Sequence, residues 1–232
     1  MDVLAIIPAT LARDGRETGI LSPILGKPLL GHLLDRLSGV DKLAGVVVTT
    51  SDAPENKAIL DYCAMRGTPC ESGARDDLLG RLLTALKTAG AKGGLMVDAG
   101  NPLIDPALVD QVANLLQMTD GMLDWIGNTL APTYPKGMEI DGFTAAALEE
   151  AGRRCAEPEQ RREGPAFLRR NSRLYRPLSL TAPPELARPE VKLNVEGPED
   201  LPRIEGIFRR FDGRTDFGLA EILAYLDATP AA

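Results

Sequence analysis

Arg13 and Arg16 stand in a polar, glycine-bearing loop over residues 8–19, directly after a short apolar run at residues 3–7. An arginine fork can bridge two phosphate oxygens, so this pair could hold a polyphosphate. The other reading is a surface loop with solvated arginines, because a glycine-bearing loop is not by itself a phosphate site. Asp98 closes a second apolar run, residues 94–98. In an open α/β sheet the carboxyl end of a strand is where a metal-holding carboxylate is expected, although a loop-stabilising or capping carboxylate fits the same place. Lys27 precedes a proline that opens a helical pattern, and on the residues alone it reads as a solvated side chain just before a helix. Glu196 offers the hard oxygen donor that Mg²⁺ needs, or serves as a turn residue before Gly197-Pro198. The one histidine, His32, sits inside that first helical pattern and reads as structural or surface.

These groups need a frame, and the hydrophobic periodicity supplies one. Residues 3–7 form an apolar run too short for a core helix, which reads as a buried parallel strand. Pro28 then opens a helix on Leu29, Leu30, Leu33, Leu34 and Leu37. Residues 45–50 are β-branched and give the clearest strand. Helix 56–66, a short strand around 68–70, helix 76–89, strand 94–98 and a helix capped by Asp105-Pro106 continue the alternation. This pattern predicts a doubly wound, mostly parallel α/β sheet with ligands at the strands' carboxyl ends. After about residue 120 the pattern loosens. It gives a turn-rich stretch at 133–137, a helix over 143–150, an extended segment at 188–195 and helices over 199–208 and 218–226. The whole of 1–232 reads as one domain, with 125–192 a looser insertion.

Composition excludes several classes. With 33 acidic against 26 basic residues the formal charge is -7, which argues against general nucleic-acid binding. The arginines at 161, 162, 169, 170 and 173 are read as a solvated helix face or a local basic patch. Cys63, Cys70 and Cys155 form no CxxC pair, and an odd count suits a reducing compartment. No stretch approaches the roughly 20 apolar residues of a membrane span, and the first residues lack a signal-peptide pattern. The expected location is the cytoplasm.

Several phrases occur in an order that resembles the cytidylyltransferase family of sugar-nucleotide synthesis, which includes spore coat polysaccharide proteins and the synthetases that activate acidic sugars. They are Leu4-Ala5-Ile6-Ile7-Pro8-Ala9, Gly26-Lys27-Pro28-Leu29-Leu30, Asp76-Asp77-Leu78-Leu79-Gly80-Arg81 and Gly100-Asn101-Pro102-Leu103-Ile104-Asp105-Pro106. Asn128-Thr129-Leu130, Tyr134-Pro135-Lys136-Gly137-Met138-Glu139 and Asn194-Val195-Glu196-Gly197-Pro198-Glu199-Asp200 complete the set. The resemblance implies a Rossmann-like nucleotidyltransferase that uses CTP, a sugar or sugar-acid acceptor and Mg²⁺, working as a homodimer. It implies catalytic roles for Arg13, Arg16 and Lys27. It further implies nucleotide contacts from Pro8, Ala9, Thr10, Arg75, Asp76 and Asp98, and substrate contacts from Asn128, Glu139 and Arg162. The implied metal ligands are Asp98 and Glu196.

The chain departs from that pattern at telling places. Gly19 occupies the place of a loop lysine and Thr10 that of a common arginine. The usual metal aspartate falls at Gly100, two residues beyond Asp98, and an Arg-Glu-His phrase reads Arg162-Glu163-Gly164. A second expectation follows, of a weak or inactive relative that binds a nucleotide or glycan precursor. On that reading, lysine at Gly19 and aspartate at Gly100 should raise activity. A glycosyltransferase is a more distant alternative, because no Asp-x-Asp pair follows a strand.

Overall fold

The computed structural model of this chain describes residues 1–13 and 15–229, and the Arg13 side chain falls outside the described part. β1 (Val3–Pro8) is an interior strand of a seven-stranded sheet. Its side chains alternate between two cores: Val3, Ala5 and Ile7 face one, Leu4 and Ile6 the other. The remaining strands are β2 (Gly45–Ser51), β3 (Cys70–Gly73), β4 (Gly93–Met96), β5 (Trp125–Gly127), β6 (Asp141–Thr144) and β7 (Pro177–Ser179). In space they run β7-β5-β6-β4-β1-β2-β3. β1 pairs in parallel with β2 and β4, β2 with β3, and β5 with β7, whereas β6 is antiparallel to both neighbours.

Helices α1 (Leu29–Ser38), α2 (Lys57–Arg66), α4 (Pro106–Thr119), α8 (Leu201–Arg210) and α9 (Leu219–Ala228) cover the first face. Helices α3 (Leu78–Ala89), α5 (Ala145–Arg154) and α7 (Ala166–Arg170) cover the second. The short α6 (Pro158–Arg162) lies against α3. Local chemistry sets the helix starts. Asp77 accepts from Gly80 N at 2.8 Å, Asp105 from Ala107 N at 2.8 Å, and Thr144 from Ala147 N at 3.2 Å.

The doubly wound, mostly parallel sheet expected from periodicity is therefore present. The segment 125–192 adds three strands to it, β5, β6 and β7. Residues 141–144 form a strand whose last two residues fall where the periodicity predicts the start of a helix, and the helix begins at Ala145. Gly142 is needed there. A Cβ would stand 2.8 Å from the Ile126 carbonyl oxygen and 2.9 Å from a Leu95 methyl carbon.

His32 is structural. Its Nε2–H donates to the Ile24 carbonyl at 2.8 Å and its ring packs 4.3 Å from that of Phe208. Burial lowers its pKa, outweighing the carbonyl bond that raises it. Below about pH 6.5 the unfolded chain takes a proton that folded His32 resists, so stability falls as the solution is acidified. His32→Gln should remove that part of the acid-side slope when urea midpoints are measured between about pH 7.5 and 5.5.

Candidate active site

The chain passes from β1 outward through β2 to β3, then returns to place β4 on the other side of β1. Connections leave the sheet in opposite directions at the β1/β4 boundary, opening a crevice at the carboxyl ends of those strands. A cleft of about 530 Å³ lies there, lined by Pro8, Thr10, Arg16, Thr18, Asp98, Gly100 and Glu196, among others. A second cleft of about 330 Å³ shares Pro8, Thr10 and Asp98 and adds Ala9, Arg75, Asp76, Arg81 and Arg162. Because β1 and β4 are parallel neighbours, the ends after Ile7 and Val97 meet on one edge.

The loop after β1 is shaped, not slack. Ala12–Arg13 pairs with Arg16–Glu17 as a short antiparallel ribbon. Thr18 Oγ1 donates to Thr10 O at 2.5 Å, and Leu11 N donates to Asn56 Oδ1 at 2.9 Å. Asn56 is fully buried and donates on to Ser51 Oγ at 2.7 Å, so β2 anchors the loop through one amide. The Arg16 side chain is exposed and reaches the larger cleft.

Asp98 Oδ1 accepts from Gly100 N at 2.8 Å. Two residues on, Val195 N donates to Gly100 O at 2.7 Å, bringing the segment that carries Glu196 alongside the turn that follows Asp98. On its other side the 192–196 segment is held by Arg203 and Asp200. Arg203 donates to Lys192 O, and to Asn194 O at 3.0 Å, while Asp200 accepts from Glu196 N at 2.9 Å.

This contact corrects one expectation. An aspartate at Gly100 is not a simple restoration, because its Cβ would stand 2.5 Å from the Val195 carbonyl oxygen, a backbone atom. Gly19 has space around it but a φ of 71°, the left-handed region that strains any lysine placed there. Gly100→Ala is expected to lower stability by about 1–3 kcal/mol, read as a fall in urea midpoint, because the two backbone segments must separate.

In the second cleft, Arg162 donates to Asp76 at 2.9 Å and holds its carboxyl below the usual range. Arg161 grips Asp77 with two bonds of 2.9 Å, fastening α6 to the start of α3. Arg75 pairs with Glu55. Arg81 donates to Ala74 O at 2.7 Å and Arg75 O at 3.0 Å, and burial lowers its pKa.

The fold thus gathers Pro8, Ala9, Thr10, Arg16, Arg75, Asp76, Asp98, Arg162 and Glu196 around two adjoining clefts. Other expected residues have different employment. Lys27 forms an ion pair with Asp35, whose second oxygen takes Arg66 at 2.6 Å. Asn128 donates to Met138 O at 2.6 Å and accepts from Ile140 N at 2.9 Å, ordering the turn that carries Glu139. Glu139 lines neither cleft; it accepts from Gly137 N at 2.7 Å and from Asn101 Nδ2, next to Gly100, at 3.3 Å. Sequence reading misses Thr18 and Arg81 as lining residues. Arg81 stands inside one of the phrases that carry the resemblance, and its spacing from Asp77 is the available signal.

Among the described residues no group of three or more His, Cys, Asp or Glu gathers as a ready metal cage. Mg²⁺ does not require one, since it keeps several waters and takes one or two carboxylates plus substrate phosphates. Asp98 and Glu196 on one cleft fit that donor set. No described helix is long and apolar enough to cross a membrane.

The chain superimposes on a cytidylyltransferase structure from Leptospira borgpetersenii with a TM-score of 0.88, at 20% identity, over 98% of this chain and 93% of that one. The fold is that of the nucleotidyltransferases. A CMP:2-keto-3-deoxy-manno-octonic acid synthetase complexed with CTP aligns at TM-score 0.64 and 16% identity, covering 91% and 100%. In sequence, the spore coat polysaccharide biosynthesis protein SpsF of Bacillus subtilis is 24% identical over 100% of this chain and 96% of its own length. No protein-family model matches the chain. The shared sheet topology accounts for the strand-end crevice.

Proposed function

We propose that this chain transfers a cytidylyl group from CTP to a sugar or sugar acid in glycan-precursor synthesis. The observation that carries the reading is the convergence of Arg16, Asp98 and Glu196 on one cleft at the β1/β4 boundary. Likeness to the cytidylyltransferase and CTP-complexed synthetase structures supports it.

In this reading the larger cleft takes the triphosphate and the smaller one the nucleoside. Arg16 screens phosphate charge, and the shaped 10–18 ribbon keeps it over the cleft. Asp98 and Glu196 would hold Mg²⁺, whose chemistry there is neutralisation of phosphate charge. Positioning and charge screening are the main demands of such a transfer, so attack by a sugar oxygen on the α-phosphorus, with pyrophosphate leaving, needs no histidine base. Glu139 serves the acceptor in this reading, and the chain acts as a homodimer in the cytoplasm.

A specific observation favours a second reading, of a weakly active nucleotide- or precursor-binding relative. Lys27 is committed to Asp35, and Gly100 sits where a side chain meets Val195. One experiment separates the two: pyrophosphate release with CTP, Mg²⁺ and a panel of sugar phosphates and sugar acids, beside calorimetry with CTP. Release supports the transferase. Binding without release supports the second reading, and neither binding nor release overturns both.

A further inference from the structure

Residues 191–196 run extended beside the larger cleft. On one edge Val191 O accepts from Lys136 N at 3.0 Å, Leu193 N donates to Lys136 O at 2.7 Å, and Val195 N donates to Gly100 O at 2.7 Å. On the other edge Arg203 donates to Lys192 O and Asn194 O, and Asp200 accepts from Glu196 N. Odd and even residues thus turn their backbone groups to opposite edges, and their side chains alternate as in a strand. Leu193 and Val195 are buried, whereas Lys192 and Glu196 are exposed. Asn194 Nδ2 donates to Glu196 Oε1 at 3.2 Å, which puts both on one face. Lys192, Asn194 and Glu196 therefore form a row, and its Glu196 end lines the cleft.

Lys136 is the parallel bridge partner of Lys192, so the two side chains stand side by side on that same face. Both lysines are exposed. Neither forms an ion pair among the described residues. Like charges directly opposite one another repel. The neighbouring carboxylates are engaged elsewhere. Glu190 pairs with Arg188, and Glu139 Oε2 accepts from Gly137 N and Asn101 Nδ2. An anion seated between the two ammoniums would relieve the repulsion and take charge-assisted hydrogen bonds from both.

We propose that Lys136 and Lys192 seat an anionic group, a carboxylate or a phosphate, at the end of the acceptor sugar remote from its attacking oxygen. The inference rests on the cytidylyl-transfer reading, in which attack occurs beside Asp98 and Glu196. Lys192 stands four residues from Glu196, about 13 Å along an extended chain. Flexible four-carbon stems let both ammoniums lean along the row toward the cleft. An acid group on the carbon next to the attacking oxygen would stay beside the two carboxylates and never meet the lysines. The pair therefore selects an acceptor charged at its far end and disfavours a neutral sugar.

Glucose 6-phosphate, glucuronate and glucose are the probes. They share one ring and carry a phosphate, a carboxylate or a hydroxyl at the end away from the anomeric oxygen. Each is titrated into the full chain by ligand-observed NMR, with CTP calorimetry on the same samples. At least one anionic probe is expected to bind about tenfold more tightly than glucose, and the tighter of the two names the group. Lys136→Gln and Lys192→Gln should each cut that preference severalfold, the double variant should remove it, and Lys136→Arg, which keeps the charge, should retain it. CTP affinity and thermal midpoints should not fall in any variant, because both side chains are exposed and their repulsion is relieved. Anionic probes that bind no better than glucose, or a preference that survives in the double variant, overturn the proposal. If CTP still binds in that case, the transfer reading stands without it. Absence of CTP binding by the parent chain sinks the transfer reading, and the acceptor role of the lysines with it.

Discussion

Asp98→Asn and Glu196→Gln are each expected to lower CTP-dependent pyrophosphate release by about 100-fold, equivalent to ~2.7 kcal/mol of barrier. Both substitutions keep shape and lose charge. In Asp98→Asn the new amide oxygen can still accept from Gly100 N, so the strand end keeps its form, and Glu196 is exposed, with its backbone N–H held by Asp200. Thermal midpoints should therefore stay near that of the parent chain. On the proposed reading, what changes is the cleft's ability to balance a triphosphate with help from a hard cation. If both carboxylates serve one ion, the double variant falls little below either single one, because groups acting on a shared partner are not additive. Steady-state rates across a Mg²⁺ titration check this. Full activity in either single variant would remove that carboxylate from the chemistry, and independent losses multiplying to about 10⁴-fold would place the two at separate tasks.

Much of the scaffold is legible because it rests on local pattern. The continuous apolar runs of β1 and β2 announce strands buried on both faces, and Pro28 and Asp105-Pro106 mark helix starts. β6 is hidden because Asp141 and Gly142 are poor strand formers. Asp141 is there to accept from Trp125 Nε1 at 2.9 Å and Thr129 Oγ1 at 2.8 Å, and Gly142 to let neighbours approach. Those demands come from residues distant in sequence, which periodicity cannot register. The site divides the same way. Asp98 and the residues following β1 are fixed by strand ends, so their convergence follows from the topology. Lys27 is diverted by Asp35, eight residues on, which it meets only because a hairpin at residues 23–28 folds back on α1. Gly100 looks like a lost aspartate in sequence and is a tight backbone contact in space.

Arg36→Met should destabilise the fold by about 3–5 kcal/mol, and by more than most apolar truncations of comparable size. The side chain is 1% exposed, an unusual place for a guanidinium. No hydrogen-bonded carboxylate among the described residues answers it. It donates instead to the carbonyls of Ile104 at 3.1 and 2.8 Å, Phe217 at 2.7 Å and Thr215 at 3.0 Å. Its guanidinium also lies 3.9 Å from the centroid of the Phe217 ring. Burial lowers its pKa to about 10, so it stays charged at neutral pH. One residue of α1 thereby ties the segment before α4 to the segment before α9, joining pieces about half the chain apart. Methionine fills most of the volume but leaves those carbonyls buried without a donor, each costing about 1–3 kcal/mol. A chain of this size loses roughly 2–4 °C of midpoint per kcal/mol, so the thermal transition should drop by about 10 °C. Arg36→Lys should recover only part of this, since one ammonium cannot span carbonyls on two segments with the reach of a planar fork. A midpoint unchanged in Arg36→Met would mean that water or backbone movement satisfies those carbonyls, and that α1 is not what holds the C-terminal helices to the sheet.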